Sequence, residues 1–463
     1  MTSARWNERH GRILSDILLR FTQSGIRYFI LRNFDNLPNI NPSKDVDIMV
    51  DTKYTKEAKA ILLNIYRAHG VSNYYEARHG FVHCCHGVDV DSNFAIKIDL
   101  IFSYISKGFE IFTFDELYEH SEDYNEFRVL NNYFEGVMVF IYKVMLAVAQ
   151  FNYSPRLKDE YKEIIYNTHK SYPEFSNLLR DLVGDYLAED ILASIESRRF
   201  DDMALLSNKL TKALRKFAFA KRPLKTTYLV AAFYITKGSK IVFRYKKYSK
   251  SFSVIAPDGS GKTTFLEKLL EEIDFFFVND KNDNRCHVYH FRPNLLPNLG
   301  AIGEKVGIKE QDKDFTNPHR SEPAGGFSSL VRISYYWLDY ILGYNLYVRQ
   351  DVQFDRFSVF DRYSYDLIVD PARTRLSLPL WVRKLFVKLM PHPSIVFYLD
   401  ADPAVVFGRK QELQLDEIAR QQIAYRTLAD SHDRFVSLDA NQPAEKSASE
   451  ALQIIIDKFT KRL

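Results

Sequence analysis

The nine residues Ala256-Pro-Asp-Gly-Ser-Gly-Lys-Thr-Thr264 constrain this chain more than any other stretch. They follow a short β-branched and aromatic run, Ser251-Phe-Ser-Val-Ile255. They lead into Phe265-Leu-Glu-Lys-Leu-Leu-Glu-Glu-Ile273, whose apolar spacing is helical. Strand, glycine-bearing turn and helix in that order let backbone N–H groups converge on an anion. Gly259 and Gly261 remove the Cβ atoms that would block the approach, and the helix amino terminus adds its positive dipole end. The loop is therefore expected to bind ATP through Asp258, Gly259, Ser260, Gly261, Lys262, Thr263 and Thr264. Lys262 would reach the β- and γ-phosphates, and the Thr263 hydroxyl would ligate Mg²⁺. The usual opening glycine is replaced by Ala256, and a plain turn before a capped helix is the bland alternative.

At 463 residues the chain predicts two or three domains. Residues 1–110 alternate short apolar runs with turns. Tyr28-Phe-Ile-Leu-Arg32, Val46-Asp-Ile-Met-Val50 and Ala95-Ile-Lys-Ile-Asp-Leu-Ile-Phe102 are expected strands, with helices over 12–24 and 56–69. Residues 111–250 are mostly helical in pattern. From 251 to 463 strands and helices alternate again, as in a parallel sheet with crossover helices. The expected fold is α/β and multidomain.

Three cysteines, Cys84, Cys85 and Cys286, build no disulfide framework, and the first residues hold no apolar signal core. No apolar run approaches a membrane span, so a cytoplasmic protein is expected. His79, His83 and His86 lie near Cys84 and Cys85, but without a zinc-finger spacing. Net charge is only +4, yet residues 203–257 carry thirteen Lys or Arg and no Asp or Glu. Within 209–250 cations mix with apolar and aromatic residues. That suits a helical linker packed on a neighbour, peripheral contact with an anionic membrane, or, less well, nucleic acid.

From Pro257 the loop resembles the thymidylate kinase version. Phe357-Ser-Val-Phe-Asp-Arg-Tyr363 is similar to that family's strand ending in Asp-Arg-Tyr. Pro393-Ser-Ile-Val-Phe-Tyr-Leu-Asp-Ala-Asp-Pro403 and Arg434-Phe-Val-Ser-Leu-Asp-Ala440 resemble its later strands. The resemblance implies a P-loop kinase domain over 251–463. Asp361 would hold the Mg²⁺ shell, Arg362 would grip the acceptor or the moving phosphoryl group, and Arg409, Lys410 and Arg420 would form a cationic lid. The acceptor side departs from the family. His290-Phe-Arg-Pro293 stands where Arg-Glu-Pro is usual, an insertion fills 294–326, and Asp366, Asp370, Arg373 and Arg375 follow the Asp-Arg-Tyr. Carboxylates there suit hydroxyls, so a sugar-like acceptor with Asp366 as general base is expected, with helix capping or lid anchoring as its alternative.

Asp45 and Asp47 lie two apart on an expected strand and so share a face, and Asp99 can join them from a neighbouring strand. Such a trio suits Mg²⁺ and resembles the nucleotidyltransferase fold. Leu31-Arg-Asn33 replaces that family's Gly-Ser turn, so turn acids without metal, or an idle substrate-binding module, stay open. Taken together, the expectation is an ATP-dependent phosphotransferase with an appended nucleotidyltransferase-like domain, acting on a sugar hydroxyl; the resemblance to similar fused proteins implies a surface-glycan acceptor. The rivals are a nucleoside-monophosphate kinase using Tyr335, Tyr336 and Arg332, and an ATP-dependent switch or nucleic-acid-binding protein.

Overall fold

The structure is a computed structural model that describes residues 6–41, 45–79, 81–106, 108–144, 159–239, 250–277, 286–297, 325–353, 356–411 and 413–463. Most of the insertion 294–326 and the basic residues 240–249 lie outside the described residues. The chain divides into two units, residues 1–238 with 460–463, and residues 239–459.

In the first unit the three expected strands form as β1 (Tyr28–Ile30), β2 (Asp45–Val50) and β5 (Phe94–Ile101), and two that the sequence did not announce, β3 (Asn73–His79) and β4 (Val82–Asp89), lie between the last two in the chain. A two-stranded ribbon, β6 (Ile105–Ser106) and β7 (Phe109–Glu110), precedes β8 (Ser121–Tyr124) and β9 (Phe127–Leu130). Among the described residues the main sheet has eight strands, in the order Lys461–Arg462, β3, β4, β5, β2, β1, β9, β8. Tyr28, Ile30, Ile48, Val50, Ile98 and Leu100 pack on one face, with the helices Glu8–Gln23 and Thr55–Ala68. Phe29, Met49 and Ile101 point the other way, into a cluster shared with the helices from Asn132–Val139 to Phe200–Lys221. That alternation is what a sheet covered on both faces requires. It also puts Asp45, Asp47, Lys97 and Asp99 on the second face. Two strands, β8 and β9, come from the stretch expected to be mostly helical. Phe127-Arg-Val-Leu130 pairs with β8 and, through Val129, with β1, and four residues are too short for periodicity to announce.

The second unit holds a five-stranded, wholly parallel sheet. Its strands are β10 (Lys250–Ile255), β11 (Cys286–His290), β12 (Phe357–Asp361), β13 (Ile395–Asp400) and β14 (Phe435–Asp439), in the order β11, β12, β10, β13, β14. Being covered on both faces, the strands are near-continuous apolar runs. On one face Phe252 meets Phe397, which in turn meets Phe265 of the helix Lys262–Phe276. Val396, Tyr398, Phe360 and Ile255 join the helices Gly326–Gly343 and Leu415–Ala429 on the other. Full burial of each such ring contributes roughly 1.5–3 kcal/mol. The glycine loop thus leaves the carboxyl end of the central strand, where open parallel sheets place ligands.

Candidate functional site

The helix Lys262–Phe276 forms because Phe265, Leu266, Leu269, Ile273 and Phe276 make one buried stripe. Its start has no side-chain cap. Gly261, at φ +82°, turns the chain in, and Gly259 sits at φ +88°. A Cβ on Gly259 would lie 3.0 Å from Val406 O and 3.1 Å from Lys410 Cβ, so glycine eases the close approach of the loop to the helix Pro403–Arg409. Ser260 Oγ is buried with no hydrogen-bond partner among the described groups, an orphan that a phosphate oxygen would satisfy. Thr263 and Thr264 are exposed at the mouth.

Lys262 curls back to donate to Ala256 O and Pro257 O, both at 2.9 Å. Burial, then the Arg362 guanidinium, press its ammonium down to about 7, against the pull of Asp258. Asp258 pairs with both Arg362 and Arg373 and lies 3.7 Å from Lys262 Nζ. Burial alone would raise that carboxyl, but Arg362, Lys262 and Arg373 hold it at about 2. Arg362 follows β12 in the left-handed region at φ +71°, and its N–H donates to Val254 O at 2.9 Å. Such a conformation persists only where surrounding contacts hold it. Its Nη1 donates at 2.8 Å to Asp366, whose other oxygen accepts from Tyr425 Oη at 2.9 Å. Asp366 is fully buried, with both oxygens engaged.

Asp361 ends β12 in register with Val254 and His290, and pairs with His290 at 2.9 Å. Asp370 is buried and pairs with Arg373 at 3.5 Å. Arg409 lines a cleft of about 230 Å³ with Ser260, Gly261, Thr264, Phe265, Gln442 and Ser447, and donates to Ala440 O at 3.2 Å. Lys410 reaches Gly259 through its Cβ, whereas Arg420 is turned to Glu417 and Val369 O. Tyr335 donates to Pro297 O at 2.7 Å, and Arg292 lies over both Tyr335 and Tyr336. The sequence did not reveal that Arg373 meets Asp258 or that residues 440–447 wall the cleft. Neither carries a local signal, because each meets the loop only through the sheet order.

In the first unit, β2 runs parallel to β5 with Asp47 opposite Asp99 and Asp45 opposite Lys97. The three carboxylates offer oxygens all within 4.8 Å of one another. Two cations that sequence reading did not place there join them. Lys97 Nζ lies 2.8 Å from Asp45 and 3.2 Å from Asp99, and Arg32 lies 2.6 Å from Asp47 and donates to Tyr161 Oη at 2.6 Å. Burial first, with Asp45 and Asp47 adding to it, raises the Asp99 carboxyl to about 6 despite Lys97. Along β4, His83 and Cys85 alternate with Cys84 and His86 across the sheet, so they do not converge on one ion. His83 pairs instead with Glu76 at 2.9 Å.

No protein-family model and no curated protein matches this chain. Among solved structures, thymidylate kinase from Ehrlichia chaffeensis is similar over 45% of this chain and 98% of that one, with 14% identity and a TM-score of 0.31. The functional assignment therefore rests on the residues themselves.

Proposed function

We propose that the second unit transfers the γ-phosphoryl group of ATP to an acceptor. The observation that carries this is the loop at the end of the central parallel strand, which gathers Lys262, Arg362 and Arg373 around Asp258. Three cations held at one point by a carboxylate are positioned for the charge that develops on a phosphoryl group in flight. Loop amides and Lys262 take the β- and γ-phosphates, and the nucleoside lies along the cleft beside Arg409. Thr263 and Asp361 supply the hard oxygen donors that suit Mg²⁺, which when bound neutralises phosphate charge. Asp366 acts as a positioning residue, since Arg362 and Tyr425 engage both its oxygens.

The acceptor proposed first is a sugar or glycan hydroxyl, as the acidic and hydroxyl-suited acceptor segment implies. One observation favours a second reading, a nucleoside monophosphate. Arg373 joins Arg362, and two arginines grip a phosphate as readily as they stabilise a transition state. For the first unit we propose a nucleotidyltransferase-like centre in which Asp45, Asp47 and Asp99 hold Mg²⁺. The buried Asp99 Oδ1 has no hydrogen-bond partner among the described groups and is an oxygen that such an ion would engage.

The test is transfer from γ-labelled ATP to a panel of sugars, glycan termini and nucleoside monophosphates, with wild type beside Lys262→Ala. Lys262-dependent label on any acceptor supports kinase chemistry, and the acceptor labelled decides between the two readings. The variant is expected to lose on the order of a hundredfold or more in rate. If no acceptor carries Lys262-dependent label, the kinase proposal fails and an ATP-dependent switch becomes the better account.

A further inference from the structure

We propose that the Lys97 ammonium occupies the place of a divalent cation on the Asp45, Asp47 and Asp99 centre, and that a metal ion enters only as Lys97 withdraws. This rests on the reading of that centre as a cation site.

Lys97 is no passing surface lysine. It lies on the same strand face as Asp99, two residues away, and opposite Asp45 in the parallel β2–β5 ladder. Its side chain is 10% exposed, and its Nζ bridges Asp45 Oδ2 at 2.8 Å and Asp99 Oδ2 at 3.2 Å. An ammonium so placed joins the two strands through charge, as a shared metal ion would. Arg32 covers the third carboxylate at 2.6 Å and is itself held by Tyr161 Oη. Among the described residues, three carboxylates against Lys97 and Arg32 leave one net negative charge, too little to draw a divalent ion out of water past a neighbouring ammonium. What remains open is Asp99 Oδ1, buried with no hydrogen-bond partner among the described groups. Withdrawing the Lys97 charge would leave Asp45 and Asp99 uncompensated in a poorly solvated place, and a divalent cation relieves that cost.

Lys97→Met keeps the length and apolar stem of the side chain and removes its charge, whereas Lys97→Arg keeps the charge. The experiment is Mn²⁺ titration of the full chain without nucleotide, followed by electron paramagnetic resonance of free Mn²⁺. Each variant is made with and without Asp99→Asn, and thermal melts confirm folding. The expected result is one Mn²⁺ site in Lys97→Met, at least about tenfold tighter than in wild type or Lys97→Arg, and lost on adding Asp99→Asn. The Asp99 dependence separates it from any ion held by the second unit. An Asp99-dependent site equally tight in wild type overturns the role of Lys97 while leaving the centre a metal site. Absence of Asp99-dependent Mn²⁺ in every variant overturns both. Tight binding in Lys97→Arg as well shows that shape rather than charge governs entry, and also overturns the proposal.

Discussion

Gly259 shows how one residue sets the phosphate loop. Its φ of +88° strains any other residue, and Val406 O, 3.0 Å from where a Cβ would stand, would have to shift by a few tenths of an ångström. Gly259→Ala is expected to cost about 1–2 kcal/mol, from left-handed backbone strain with the contact added. It should also weaken ATP binding, and urea unfolding and calorimetry measure the two effects. Lys262 sets a pH dependence. Its ammonium, pressed to about 7 by burial and Arg362, loses its proton as pH rises through that value, whereas phosphate oxygens favour the charged form. ATP binding above about pH 7 therefore takes up a proton, and affinity falls by up to about tenfold per pH unit. Calorimetry in buffers of different ionisation enthalpy reads this directly; an affinity flat up to about pH 9 would sink it. Lysine, serine and both glycines of the loop were legible in the sequence because their spacing is the motif. Arg373 was not, since 115 residues separate it from Asp258.

At the scale of elements, the helix Gly326–Gly343 is anchored by a pair its own sequence does not announce. Arg292, from the segment after β11, meets Asp339 at 2.9 Å, and both are almost wholly buried. Asp339 also accepts from Asn294 N and Leu296 N, so one carboxylate fixes the whole turn. Asp339→Ala leaves a buried guanidinium and two amides without that acceptor, and about 3–5 kcal/mol of stability is expected to be lost. Denaturant unfolding checks this, and replacing both partners with apolar residues should recover much of the loss. Within His290-Phe-Arg-Pro293, the arginine thereby anchors a helix as well.

Across the whole molecule, the two units each have their own cores. Calorimetry should show two unfolding transitions, with Asp339→Ala lowering only one of them. Among the described residues no helix is long and apolar enough to cross a membrane. The segment 209–250, expected as a linker or a peripheral membrane contact, is described only up to 239 and at 250. Lys221 and Arg222 pair with Glu116 and Lys225 with Glu110, while Leu224, Tyr228, Tyr234 and Ile235 of the helix Pro223–Ser239 are exposed. Cations already paired inside the unit attract anionic lipid less, so a membrane contact here would depend on the apolar side chains. Sedimentation with phosphatidylserine vesicles is expected to capture the protein, and Leu224→Ser with Tyr228→Ser to weaken capture. Capture abolished by salt and indifferent to both substitutions would contradict that.

The sequence by itself determined the glycine loop with its strand and helix, the strands β1, β2 and β5, and the shared face of Asp45 and Asp47. Each of these is local, written in spacing that covalent geometry converts into direction. Only the tertiary structure decided which charges meet: Asp258 with Arg362 and Arg373, Asp366 with Tyr425, and Lys97 with Asp45. Such pairings follow from strand order and from burial, which removes water as the competing partner. Neither quantity exists until distant parts of the chain have packed together.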